Sequence, residues 1–248
     1  MSTHAAYSAA PLTARHRTGR EQRGSSPSVG APLWIAALCL AGLALVWTLV
    51  NLVPGVEWRD AATLNDFTLL SRPSLDQGLS FLLHLLNPLP FVLWGVALVA
   101  VALARERPRV ALAAVAVMAL APLTSELLKP LLAHPHVHIG NAQVGPASWP
   151  SGHSTAALAL AASVALVAPA RLRAAVAWVG AAFALAVGCA LLILAWHMPS
   201  DVLGGYLVAG FWAALAVAAL RASERRWPTR RPRGARPDPT AARSTPHR

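Results

Sequence analysis

The chain has 248 residues, 56% of them hydrophobic and only 12% charged, with a formal net charge of +11. An average soluble chain is about a quarter charged, so an ordinary soluble domain is excluded. The basic residues flank apolar runs and do not interleave with exposed aromatics, which argues against a nucleic-acid partner.

The N-terminal stretch 1–30 is polar and basic, without apolar periodicity, and is expected to be a disordered cytoplasmic arm. A secretory leader has a short basic region followed at once by an apolar core of about 7–15 residues. Here the apolar run comes late and is longer, so it reads as a retained span.

A helix needs roughly 20 apolar residues to cross about 30 Å of hydrocarbon. Six segments qualify: 32–53, 81–104, 110–128, 154–169, 174–196 and 202–220. The second contains Asn87, Pro88 and Pro90 early on, which predicts a kink. The fourth is short, with its helix expected to begin near Pro150. Between the first two, residues 54–80 alternate apolar and charged side chains, as in a short interfacial helix. The expected fold is all-α: a polytopic membrane protein with six transmembrane helices in one bundle over 31–221, followed by a disordered basic tail over 222–248. Cys39 and Cys189 lie inside apolar runs, so a disulfide framework is not expected.

Orientation follows from Lys and Arg in the connections. The N-terminal arm, the connections after spans two and four, and the C-terminal tail together hold 18 of the 21 basic residues. The opposite side holds Arg59, Arg72 and Lys129. Both termini are therefore expected in the cytoplasm, with loops 54–80, 129–153 and 197–201 facing outward from the cell membrane.

Three polar clusters sit at those outward span ends. Lys129, the sole lysine, closes span three; Trp149-Pro150-Ser151-Gly152-His153-Ser154-Thr155 opens span four; and His197-Met198-Pro199-Ser200-Asp201 joins spans five and six. His153 and His197 are 44 residues apart, about 66 Å of helix at 1.5 Å per residue. That is close to two membrane crossings, so both return to the face where span three ends. A lysine, two histidines and an aspartate on one face suit phosphoryl transfer. Backbone N–H groups at a helix start bind phosphate, Gly152 admits close approach, and Ser151 adds a hydroxyl. Asp201, four residues beyond His197, can fix that imidazole as a nucleophile, and His153 can protonate a leaving oxygen.

Lys129, Pro150-Ser151-Gly152-His153 and His197-x-x-x-Asp201 resemble the three signature motifs of the membrane branch of the type 2 phosphatidic acid phosphatase superfamily. The resemblance covers roughly residues 81–220. It implies that His197 forms a phosphohistidine, Asp201 orients it and His153 is the general acid. Lys129, Ser151 and Gly152 would hold the phosphate, with no cofactor and no metal. The substrate class would be a lipid phosphomonoester or pyrophosphate: phosphatidic acid, phosphatidylglycerophosphate or a polyprenyl (pyro)phosphate. The partners would be that lipid phosphate and the membrane lipids around it.

Two positions depart from the family pattern. An Arg-Pro pair expected seven residues after the lysine is His136-Val137, and a Ser-Arg pair expected before the second histidine is Ala190-Leu191. His136, when protonated, would be a substitute phosphate ligand. The missing arginines motivate an alternative, a non-catalytic lipid-phosphate binding or transport protein of the same fold. A third reading is a metal carrier built on His134, His136, His138, His153 and His197.

Overall fold

The computed structural model describes residues 28–137, 139–140 and 144–227, and among them every regular element is a helix. In chain order these are α1 (Gly30–Leu52), α2 (Val56–Thr68), α3 (Pro73–His84), α4 (Pro88–Ala104), α5 (Pro108–Leu131), α6 (Gly152–Val167), α7 (Arg173–Ile193) and α8 (Pro199–Arg226). Four of them start at a proline whose missing N–H and fixed φ suit the first helical turn: Pro73, Pro88, Pro108 and Pro199. Helix α2 follows a turn at Gly55, whose φ of 86° lies in the left-handed region.

Helices α1, α5, α7 and α8 are each long and apolar enough to cross a membrane. Helices α3 and α4 meet that test as a pair, bent by 53°. The bend falls at Leu85–Asn87, just before Pro88, which is the kink expected in the second apolar segment. Helix α6 is apolar but has only 16 residues. The chain is an integral membrane protein. Its lipid-facing surface carries large apolar groups that water would not tolerate as a patch, among them Trp34 at 72% exposure and Trp178 at 78%.

Several boundaries differ from the sequence expectation. Helix α6 begins at Gly152, capped by Ser151 and close to the start expected near Pro150, and ends two residues earlier than the 154–169 segment. Helix α5 continues three residues past the 110–128 segment to Leu131, and Lys129, expected to close that span, lies in its last turn. Helix α8 continues to Arg226, past the expected domain end at 221. The expected disordered arms fall mostly on residues 1–27 and 228–248, outside the described residues. The loop 54–80 contributes two helices, α2 and the first half of the bent pair.

Helix α6 sits at the centre, packed on α4, α5, α7 and α8, while α1 lies against α8 and α2. Small residues make these close contacts possible: Ala113, Ala121, Ala159, Ala209 and Ala216 share one buried cluster with Val117 and Val208. Lipid supplies no hydrophobic drive between helices, so close backbone approach and dispersion take its place. A second cluster lies toward the site and joins Leu64 of α2, Leu83 of α3, Leu191 of α7 and Val202 of α8. The end of α5, the start of α6, the end of α7 and the start of α8 thereby meet at one end of the bundle. At the opposite end Arg105 and Arg107 donate to the Val167 carbonyl, at 3.1 and 3.3 Å.

Candidate active site

Helix α8 begins with Met198 at the N-cap and Pro199 in the first turn. Met198 is extended (φ −72°, ψ 154°) and Pro199 starts the helix, so the chain turns between His197 and Asp201. The Asp201 carboxylate folds back and accepts from His197 Nδ1 at 3.2 Å and from the Met198 N–H at 2.9 Å, both on Oδ2. Asp201 is fully buried, whereas the His197 side chain retains 13% exposure. That leaves Nε2 as the imidazole nitrogen free to meet a ligand.

Helix α6 begins with Ser151 as its cap, accepting from the Ser154 N–H at 3.4 Å. The Thr155 N–H bonds the Ser151 carbonyl at 3.1 Å. The amides of Gly152 and His153 are the first-turn donors left over. The Ser151 hydroxyl is itself buried, and its cap role faces into the protein. The Ser151 N–H donates to the Asp201 carbonyl at 2.9 Å, which joins the two helix starts.

Lys129 reaches in from α5 and pairs with Glu126 at 2.6 Å. Gly152 is where this pair comes nearest to α6. A Cβ added there would lie 3.0 Å from Glu126 Oε1 and 3.5 Å from Lys129 Nζ. The His153 ring stands edge-on to Trp196, with centroids 5.7 Å apart.

These groups share one cleft of about 390 Å³. Its polar end is Glu126, Lys129, Gly152, His153, His197 and Asn87; its other wall is Leu86, Phe91, Val92, Met118, Pro122 and Ala156. Of the residues singled out in the sequence, Lys129, Gly152, His153 and His197 therefore converge, with Asp201 directly behind His197. His136 is not among the cleft-lining residues; its Nε2 is 2.9 Å from Ser148 Oγ. Leu191, at the position of a family arginine, is fully buried among apolar neighbours. Of the suggested histidine cluster, His138 lies outside the described residues. Among the described residues no three His, Cys, Asp or Glu side chains are grouped to hold a metal ion.

Sequence reasoning missed two features. Gly204 and Gly205 on α8 let α6 approach: a Cβ at Gly205 would strike Ser154 Oγ, the Ser151 carbonyl and Thr155 Oγ1. The adjacent Gly-Gly inside an apolar segment was the available signal. The other is Asp60 on α2, which accepts from the Ser200 N–H at 3.1 Å and from Ser200 Oγ at 2.6 Å. Burial pushes the Asp60 carboxyl above the usual carboxylate range, and the two Ser200 bonds draw it partly back. No sequence signal links a helix in a loop to a serine 140 residues away.

A search of curated protein sequences finds no match. Among solved structures the fold is similar to the crystal structure of the first transmembrane PAP2 type phosphatidylglycerolphosphate phosphatase from Bacillus subtilis, with a TM-score of 0.65 at 20% identity. The likeness covers 77% of this chain and 98% of that one. The sequence model of the PAP2 superfamily matches residues 110–225, which hold Lys129, the Ser151–His153 helix start and the His197–Asp201 pair. Residues 110–225 thus match the PAP2 superfamily in sequence, and the fold is that of a membrane PAP2-type protein.

Proposed function

We propose that this protein hydrolyses a lipid phosphomonoester or pyrophosphate through a phosphohistidine on His197, without a metal. The observation that carries the reading is the His197–Asp201 pair, 3.2 Å apart, opening into a cleft shared with His153, Lys129 and the start of α6. Asp201 holds the Nδ1 proton and so leaves a lone pair on Nε2. That nitrogen attacks phosphorus while the bond to the lipid oxygen breaks, and His153 delivers a proton to the departing alkoxide. Water then attacks the phosphohistidine, His153 takes its proton, and phosphate leaves with His197 restored. Charge building on the phosphoryl oxygens is met by Lys129 and the Gly152 and His153 amides.

The apolar wall of the cleft supports a lipid substrate. Phe91, Val92, Met118 and Pro122 continue the site along the α4 and α5 faces, where an acyl or prenyl chain can stay in the bilayer while the headgroup enters. Phosphatidic acid, phosphatidylglycerophosphate and polyprenyl (pyro)phosphate all meet this requirement. The arginine-poor outer side supports a six-span topology with both termini in the cytoplasm and the site facing outward from the plasma membrane.

One observation favours a second reading. Among the described residues Lys129 is the only lysine or arginine lining the cleft, and it is already paired with Glu126. A protein that binds or moves lipid phosphates without turnover would fit that weak positive field. Phosphate release from these three lipid classes by the detergent-purified protein in EDTA separates the two. Turnover that disappears in His197→Ala supports the phosphatase; binding without release supports the carrier.

A further inference from the structure

Helix α8 starts with an orphaned donor. Met198 N–H is taken by Asp201, Pro199 has none, and the next first-turn N–H belongs to Ser200. Its acceptor comes from a different helix. Asp60 of α2 places Oδ1 on the Ser200 N–H and Oδ2 on the Ser200 hydroxyl, so both oxygens are engaged by one buried residue. A carboxylate at a helix N-terminus also complements the positive end of the dipole.

One turn earlier on the same face, Glu57 accepts the Val137 N–H at 2.7 Å. Val137 lies in the loop that leaves α5 beyond Lys129. Helix α2 is itself anchored by Ala61 and Leu64, 2% and 1% exposed, in the apolar cluster that includes Leu191 and Met198. It is thus a bracket lying across the site. Two of its carboxylates, Glu57 and Asp60, three residues apart, hold the loop that follows the lysine helix and the start of the helix that carries Asp201.

We propose that Asp60 is a positioning residue for the phosphoryl-transfer pair. By capping α8 from outside, it fixes the turn between His197 and Asp201 and so the direction of His197 Nε2. This rests on the phosphatase reading of the cleft. Asp60 touches neither substrate nor the imidazole; it acts through Ser200. The effect therefore belongs on the chemical step. Misplacing a reacting group by about 1 Å costs on the order of 10²-fold in rate, while Lys129 and the α6 amides, which hold the phosphate, are left in place.

The test compares wild type, Asp60→Ala, Asp60→Asn, Ser200→Ala and His197→Ala on dioctanoyl phosphatidic acid in detergent. Asp66→Asn, an exposed carboxylate on the same helix, serves as control. The expected result is a kcat for Asp60→Ala lower by about 10- to 100-fold with KM within about twofold. Asp60→Asn, which keeps one acceptor, should fall between it and wild type, and Asp66→Asn should match wild type. Equal kcat in wild type and Asp60→Ala overturns the proposal. So does a loss in Asp60→Ala that merely tracks the fraction of folded protein, with no rescue by Asn. Hydrogen exchange at the Ser200 and Asp201 amides is measured on the same proteins and does not depend on turnover. If wild type releases no phosphate from this lipid, from phosphatidylglycerophosphate or from a polyprenyl (pyro)phosphate, the phosphatase reading fails, and exchange still decides the positioning claim. Faster exchange confined to the start of α8 in Asp60→Ala supports it, and unchanged exchange overturns it.

Discussion

The Ser151 N–H donates to the Asp201 carbonyl at 2.9 Å, so the cap of α6 is bonded to the first turn of α8. In the proposed mechanism one helix start offers amides to a phosphate and the turn before the other aims His197 at it, and this bond ties the two starts together. The contact exists because Gly204 and Gly205 leave no side chain between the helices. Trp149, Ser151, Ser154 and Thr155 occupy the space that Cβ atoms there would need.

Gly205→Ala is accordingly predicted to force the helix starts apart. Overpacking of this kind costs about 1–3 kcal/mol, and turnover should fall further than the loss of folded protein explains. Thermal unfolding in detergent alongside kcat checks this. An alanine variant with wild-type kcat would show that the helix register is not needed.

Lys129 carries the cleft's positive charge, and Glu126 competes with any anion for it. A hydrogen bond to a charged group contributes about 1.5–3 kcal/mol, so Lys129→Ala should raise KM roughly 10- to 150-fold. Glu126 is 60% exposed, and exposed pairs are worth about 0–1 kcal/mol. Glu126→Gln should therefore tighten binding of phosphate or vanadate, by up to about fivefold. Weaker binding in that variant would mean that Glu126 orients the lysine instead of competing for it.

If His153 protonates the leaving oxygen, its removal slows phosphorylation of His197 only where the leaving group is basic, while the shared attack of water slows for every substrate. In single-turnover measurements His153→Ala should lower the rate of His197 phosphorylation by a lipid phosphate about 10²- to 10⁴-fold, the range for general acid catalysis. With p-nitrophenyl phosphate, whose phenolate departs unaided, the loss in that rate should be below about tenfold. Equal losses of the phosphorylation rate on both substrates would contradict the general-acid role.

Burial raises the Asp60 carboxyl above its ordinary value, near 3.9 in an unfolded chain. Between those two values the folded protein keeps a proton that the unfolded chain has lost, so this group's contribution to stability falls as pH rises. Asp60→Asn cannot titrate. Its Tm relative to wild type should climb with pH through that window and level off above the folded value. Parallel Tm curves would contradict the assignment.

The convergence of the site groups at one end of the helices was legible in the sequence, because helical rise is constant. Forty-four residues between His153 and His197 had to return the chain to the same face, and α6 and α7 do so. The break before Pro88 was legible for a local reason as well. What was not legible depends on lateral packing. His136, expected to substitute for a phosphate ligand, is tied to Ser148 away from the cleft lining, and Leu191 is sealed in the core. The Asp60 bracket joins residues 140 positions apart through a loop helix of mixed polarity, which no periodicity could register.

The central claim is a covalent bond between phosphorus and His197 Nε2. The most direct measurement is rapid denaturing quench of the protein with a phosphorus-labelled lipid phosphate, followed by mapping of the label. The account predicts an acid-labile, alkali-stable phosphate on the peptide carrying His197, absent from His197→Ala. Turnover that persists in His197→Ala, or a label on another residue, would contradict it.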